Sequence, residues 1–362
     1  MSADPRPGYD TVWPADSVEF CPGENSSNVF VCGTYNLEKQ TEEETALKKP
    51  QVRRGKCLLF EVGSADAFQL QLVQEIDLPA VLDIKWYLGR CNSSPSCTLA
   101  VADSEGHVTI HRYDATDGRL HQEQSIPCAS RDTLCLSLDW SNRRFPGSLG
   151  SLVVSLSNGS LVLLRPTNSE LSISETWHGH DYEPWIAAWD YWNPDTIFSG
   201  GDDLTLKVWD CRQGFAQPTL INRRFDSGIT TIQTNPHIEH IVAVGSYDNS
   251  VRIFDARNMR SALSQSDVGG GAWRTKWHPS PSRSMDLAVA CMHDGLKVRC
   301  IAPRRAARSM YETGFAESQV IKRFDEHQSL AYGVDWAHST AVDETIVASC
   351  SFYDHTLHLW RA

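Results

Sequence analysis

The segment Ile241-Val-Ala-Val-Gly-Ser-Tyr-Asp-Asn-Ser-Val-Arg-Ile-Phe-Asp255 consists of two apolar runs, Ile241–Gly245 and Val251–Asp255, separated by a short polar turn. β-branched and aromatic residues fill both arms, and Ser, Asp and Asn break them, which is the pattern of strand, tight turn, strand. The same pattern recurs along the chain. It is seen at Ile197–Asp210, which ends Val208-Trp-Asp210, and at Val347–Trp360, which ends Leu357-His-Leu-Trp360. It is seen again at Leu99–Arg112, Leu152–Arg165 and Leu287–Arg299, and at Val29–Tyr35 with Cys57–Val62 once an intervening insertion is set aside. No long window carries a 3.6-residue apolar period, so few helices are expected.

Ahead of each unit stands a short apolar segment closed by an aromatic anchor. Five end in tryptophan: Leu82–Trp86, Leu136–Trp140, Trp185–Trp189, Trp273–Trp277 and Tyr332–Trp336. Two more fit with substitutions, Asp16–Phe20 and Ile229–Gln233, which places anchors at 20, 86, 140, 189, 233, 277 and 336. The shortest intervals, 44 residues, match the ~40–45 of a WD repeat, and the longer ones leave room for loops. The resemblance to WD repeats is strongest where Gly179-His180 precedes Trp189 and where Asp203 and Trp209 follow; His327, Trp336, Asp354 and Trp360 repeat that order. In such repeats the His, the turn Asp and the strand-end Trp share one buried hydrogen-bond network. Gly201 stands where Ser or Thr is usual, and blades two and three lack the His. The expected fold is an all-β, seven-bladed WD-repeat β-propeller occupying residues 1–362 as one domain. Its seventh blade is expected to be closed by an N-terminal strand from Tyr9–Trp13, which would remove an exposed sheet edge.

The 362 residues are 41% hydrophobic and 22% charged, an ordinary globular balance. No apolar run approaches the ~20 residues needed to span a bilayer, and Met1–Asp10 lacks the apolar core of a secretory signal. A net charge of -12 argues against general binding to nucleic acid or anionic membrane. The 11 cysteines contain no C-x-x-C pair, and many lie within strand-like runs, so free buried thiols in a reducing compartment are expected rather than disulfides or zinc. These features read as a cytoplasmic, monomeric protein without metal or cofactor. The segment 37–56, with Glu42-Glu-Glu44 followed by Lys48, Lys49, Arg53, Arg54 and Lys56, reads as a flexible solvated loop or as a docking loop. Arg304-Arg305 with Arg308 carries the same two readings.

A propeller has no default chemistry, and G-x-S-x-G, P-loop and H-E-x-x-H motifs are absent. The repeat register narrows the search. The residue before each turn Asp belongs at one rim of the channel: Asp202, Tyr247, His293 and Tyr353, with Ser104 and Ser157 in blades two and three. The residue four before each anchor begins the innermost strand near the same rim, where Trp185, Trp273 and Tyr332 stand. Such aromatics most often form a protein contact surface, and a catalytic pocket is the sharper alternative. His180 and His327 fit the buried network, which leaves His293 as the acid–base candidate. Cys291 and Ser246 read as core or strand residues before they read as nucleophiles.

Several stretches look like one family: Ala15–Pro22, Trp185–Trp192, Ser199–Asp203, Gly245–Asp248, Gly270–Pro279, Ala290–His293 and Cys350–His355. In order and number they resemble the WD-repeat diphthine methyl ester esterases, called diphthine methyltransferases in older naming. The resemblance implies hydrolysis of the methyl ester of a modified histidine on eukaryotic elongation factor 2, giving diphthine and methanol within diphthamide synthesis. That side chain bears a trimethylammonium group, for which Trp185, Trp273, Tyr247, Tyr332 and Tyr353 are candidate walls by cation–π attraction. Asp202 or Glu183 would add negative charge. His293 is the candidate general base, and Arg274, Tyr247 or the N–H groups of Gly269–Gly271 are candidate partners of the oxyanion. The reading from another class is a non-catalytic scaffold or adaptor in ubiquitin-ligase or trafficking complexes.

Overall fold

In the computed structural model, which describes residues 8–40, 51–63, 69–91, 94–144, 149–168, 170–301, 318–338 and 344–362, seven antiparallel sheets surround one axis. Each blade runs from an inner strand outward. Blade five is representative, with Ile229–Thr234, Ile241–Ser246, Ser250–Asp255 and Ser264–Asp267 in succession. The inner strands of the seven blades are Ala15–Phe20, Val81–Cys91, Cys135–Trp140, Ile186–Trp189, Ile229–Thr234, Arg274–Trp277 and Ala331–Trp336. In blade seven a two-residue strand, Tyr9–Asp10, pairs outside the strand Thr356–Arg361, with Tyr9 opposite Leu357. The helical segments among the described residues are two single 3₁₀ turns, Glu24–Ser26 and Pro281–Arg283.

The core is divided among the seams between blades. Phe198, Phe254 and Val242 fill the seam of blades four and five; Trp336, Val298 and Trp360 fill that of six and seven; Phe20, Phe60 and Cys350 fill that of seven and one. Seven such clusters close the ring. The anchor tryptophans pack in these seams and also staple them. The indole N–H of Trp140 donates to Lys85 O (3.0 Å), that of Trp277 to Gln233 O (3.1 Å) and that of Trp336 to Lys276 O (2.9 Å). In these blades a large ring fills the seam while its one polar group is satisfied by the preceding blade, which is why tryptophan suits the position; the Trp189 indole N–H has no partner among the described residues.

The residue before the anchor serves the next blade. Glu19 accepts from Trp86 N (3.2 Å), Asp139 from Trp189 N (2.8 Å) and Asp335 from Phe20 N (2.8 Å). In blade five Gln233 plays this part, accepting from Trp277 N at 2.7 Å. The fifth anchor is therefore Thr234, one residue beyond the Gln233 read from sequence. With no aromatic in that strand, nothing local marked the register.

The expected His–Asp–Trp network is present. His180 Nδ1 faces Asp203 at 2.9 Å and its Nε2 meets Ser199 Oγ at 2.7 Å, while Trp209 Nε1 donates to the same hydroxyl at 2.9 Å. Beside a carboxylate, Nδ1 carries the proton. In blade seven His327 meets Ser349 Oγ at 2.8 Å, Trp360 donates to Ser349 Oγ at 3.0 Å, and Ser351 links His327 to Asp354. Burial pushes His327 down to about 3, so it is a neutral structural group. Cys291 is buried just past the strand Asp286–Ala290 with its thiol pushed up to about 12, and Ser246, at the end of the strand Ile241–Ser246, donates its Oγ to Ser227 O; the first is a core residue and the second a strand residue.

The described ends of the 37–56 segment form a ladder, with Asn36 opposite Arg54 and Leu37 opposite Arg53. Residues 41–50, including Glu42–Glu44, Lys48 and Lys49, lie outside the described residues, as do Arg304, Arg305 and Arg308. No helix among the described residues is long and apolar enough to cross a membrane.

Candidate functional site

One residue per blade rings the channel mouth. In five blades the inner strand slips register by one residue, between Ala15 and Ser17, Val81 and Asp83, Cys135 and Ser137, Ile229 and Thr231, and Ala331 and Gly333. Each bulge leaves one residue unpaired and re-aims its side chain. These residues are Asp16, Leu82, Leu136, Thr230 and Tyr332. Trp185 and Trp273 hold the same place just ahead of the strands Ile186–Trp189 and Arg274–Trp277. All seven line a cavity of about 810 Å³.

A second tier comes from the turn between the second and third strands of each blade. The backbone N–H of Tyr35, Ser104, Ser157, Asp202, Tyr247 and Phe352 donates to the carbonyl two residues before the ring residue of its own blade. In blade six the strand register puts Met292 at this place, and its Sδ would lie 2.6 Å from a Cβ on Gly271. Sequence counting from the turn Asp had named His293 and Tyr353 here. It was one residue late in both blades. Asp294 stands one place further along its turn than Asp248, and the blade-seven turn is one residue longer. His293 is exposed at the turn and is not among the cavity-lining residues, whereas Tyr353, 69% exposed, lines its outer edge.

The aromatic rings converge as a continuous face. Trp273 is central: its centroid lies 5.6 Å from Trp185, 5.8 Å from Tyr247 and 4.7 Å from Tyr332, stacked on the last. Phe352 continues the face 5.2 Å from Tyr332, with Tyr353 at 5.0 Å and Tyr35 at 6.0 Å from Phe352. Tyr247 stands in a slot between two glycines. A Cβ on Gly228 would lie 3.2 Å from one edge of its ring and run into Asp202 Oδ1; a Cβ on Gly271 would lie 3.4 Å from the other edge. Glu183 lines the cavity, and burial, with Glu183 and Asp203 nearby, raises the carboxyl of Asp202. The nearby Trp185 indole N–H works against that rise, though it is outside hydrogen-bond geometry with any acceptor among the described residues.

Beneath the aromatics lies a belt of buried charge. Arg274 Nη2 is 3.3 Å from Asp83 Oδ1, Lys85 Nζ is 2.5 Å from the same oxygen, and Lys276 bridges Glu19 (3.3 Å) and Asp335 (3.4 Å). Burial alone would raise Asp83; Arg274, Lys85 and the Leu138 N–H bring it below the ordinary carboxylate range. Asp16 stands above this belt, 7% exposed, and its carboxyl accepts no hydrogen bond among the described residues. Burial pushes it up to about 8, against the pull of Arg274 and with the push of Asp83. Counting four residues before Phe20 would have found Asp16 from sequence. Of the glycine N–H groups considered for an oxyanion, that of Gly269 is taken by Asp267 Oδ1 at 2.7 Å. Lys39, Arg53 and Tyr35 wall the mouth from blade one, with Arg53 Nε donating to Tyr35 Oη at 2.8 Å.

The fold and the mouth together define a WD-repeat propeller with an aromatic cavity at one end of its channel. The "WD domain, G-beta repeat" family matches residues 172–210 and 220–255. By relatives that match along most of their length, the chain belongs to the diphthine methyltransferase family. A Dictyostelium discoideum diphthine methyltransferase homolog is 34% identical across 96% of both chains. The Schizosaccharomyces pombe diphthine methyltransferase is 30% identical over 97% of this chain and 95% of its own length. The Mus musculus protein of that name is 36% identical over 91% of this chain and 68% of its own. Among solved structures, a chain of a mitotic checkpoint complex superposes with a TM-score of 0.63 at 17% identity, covering 100% of this chain and 95% of that one; this likeness concerns the fold alone.

Proposed function

We propose that the protein acts in diphthamide biosynthesis by hydrolysing the methyl ester of diphthine methyl ester on eukaryotic elongation factor 2, releasing methanol. The observation that carries this reading is the aromatic face centred on Trp273, directly above a buried carboxyl, in a cavity of about 810 Å³. A trimethylammonium group against desolvated aromatic faces gains roughly 2 kcal/mol. Trp185, Trp273 and Tyr332 are the walls and Tyr353 the outer edge; Tyr247, outside the lining itself, packs against Trp273, and Glu183 at the rim, with Asp202 near it, adds negative charge. The exposed Tyr353 and Tyr182 suit docking of a folded protein around the inserted side chain.

In this proposal ionised Asp16 takes a proton from water as the water oxygen bonds to the ester carbonyl carbon. Arg274 and the Tyr247 hydroxyl face the developing oxyanion. On collapse the methoxy oxygen leaves with the proton from Asp16, giving methanol and the carboxylic acid, which releases its remaining proton to solvent and becomes the carboxylate. Asp16 replaces His293 as the base because it lines the cavity and His293 does not. Mass spectrometry of ester-bearing elongation factor 2 after incubation with the purified protein tests the reaction. Loss of one methylene mass is expected. An unchanged mass, with stable co-purification of other chains, would replace this reading with a scaffold.

A further inference from the structure

The mouth ring repeats one backbone position in seven blades, and its occupants are Asp16, Leu82, Leu136, Trp185, Thr230, Trp273 and Tyr332. An acid at such a place is costly to ionise. It is buried in its bulge, it accepts no hydrogen bond among the described residues, and it faces aromatic rings. The guanidinium beside it, Arg274, is engaged by Asp83. The groups that face Asp16 are Arg274 from blade six, Asp83 from blade two, Tyr332 from blade seven and Tyr247 from blade five, with Cys32 behind it in its own blade. Lys39, Arg53 and Glu183 line the same cavity further out.

From this placement we infer that the cavity is a proton-coupled site for quaternary ammonium groups, in which the arriving cation expels the Asp16 proton to solvent and leaves a buried ion pair. A quaternary nitrogen has no N–H to donate, so the aromatic faces hold it by cation–π attraction and Asp16 balances its charge. The neutral carboxyl spares the empty cavity an unpaired buried anion. The inference rests on reading the mouth as a cation site and does not require ester cleavage. It also implies that below pH 8 the substrate ionises its own base, so that at neutral pH the carboxylate forms chiefly when the cavity is filled. Below pH 8 the competent, ionised fraction falls about tenfold per pH unit, and the apparent affinity falls with it.

The test is calorimetric titration of the full chain with tetramethylammonium chloride in two buffers of different ionisation enthalpy. At pH 7 the expected release approaches one proton per cation bound. At pH 10 it vanishes, and the affinity gains about tenfold between pH 6 and 7. Asp16→Asn should bind more weakly, without proton release and without pH dependence, while Asp16→Glu restores release; thermal melts of both variants establish that they are folded. Binding without proton release in the unmodified chain, or release that survives in Asp16→Asn, would overturn the inference. Proton-coupled binding without demethylation of elongation factor 2 would remove the esterase and leave this site standing. Demethylation by a chain that binds no tetramethylammonium would do the reverse.

Discussion

The two halves of the mouth share one backbone and differ in chemistry. On blades two and three the ring positions are Leu82 and Leu136, and the tier above them holds Ser104 and Ser157. On blades four to seven the ring holds Trp185, Thr230, Trp273 and Tyr332 and the second tier holds Asp202, Tyr247, Met292 and Phe352, so five of the eight are aromatic. The bulge recurs in blades two, three, five and seven and the turn hydrogen bond in blades two, three, four, five and seven, so the main difference between the halves lies in side chains. The fold supplies places at a common opening, and their occupants decide what binds there. The plain half is an internal control for the aromatic half.

That control sets the largest expected effect. Trp273→Ala removes the ring that touches three others, and kcat/KM toward ester-bearing elongation factor 2 should fall roughly 30- to 100-fold, about 2–3 kcal/mol of transition-state binding. Leu136→Ala, on the same ring, should stay within about threefold. Equal losses in the two variants would mean that the mouth acts as an undivided apolar funnel. Next in size is Gly271→Ala, whose added methyl meets Met292 Sδ and the edge of Tyr247. A loss of about tenfold in kcat/KM with little change in melting temperature would show that the glycine slot holds Tyr247 for function. Smallest is His293→Ala. From its exposed place on the turn, activity should stay within about twofold. A drop beyond tenfold in a folded variant would return His293 to the mechanism and break the assignment of Asp16.

Much of the mouth was legible in sequence because a repeat converts counting into geometry. Trp185, Trp273 and Tyr332 were found four residues before their anchors, and Asp202 and Tyr247 before their turn Asp. The same count from Phe20 reaches Asp16, which aromatic patterning alone passes over. The misplacements had local causes. Blade five has Thr234 where an aromatic anchor belongs, so its register slid by one. Blade six carries Asp294 one place later than its counterparts, which promoted His293 over Met292, and blade seven has a turn one residue longer, which promoted Tyr353 over Phe352.

Strand-forming runs, polar turns and a tryptophan every few dozen residues were enough to specify seven blades, because each blade is a local unit whose seam repeats. Which side chains meet, and in what state, depends on closure of the ring. Asp16 and Arg274 are far apart along the chain and face each other only because blade one and blade six open on one channel. The lifted carboxyl of Asp16 is a property of that enclosed space, since burial and neighbouring charge are set by three-dimensional neighbours and not by adjacent residues.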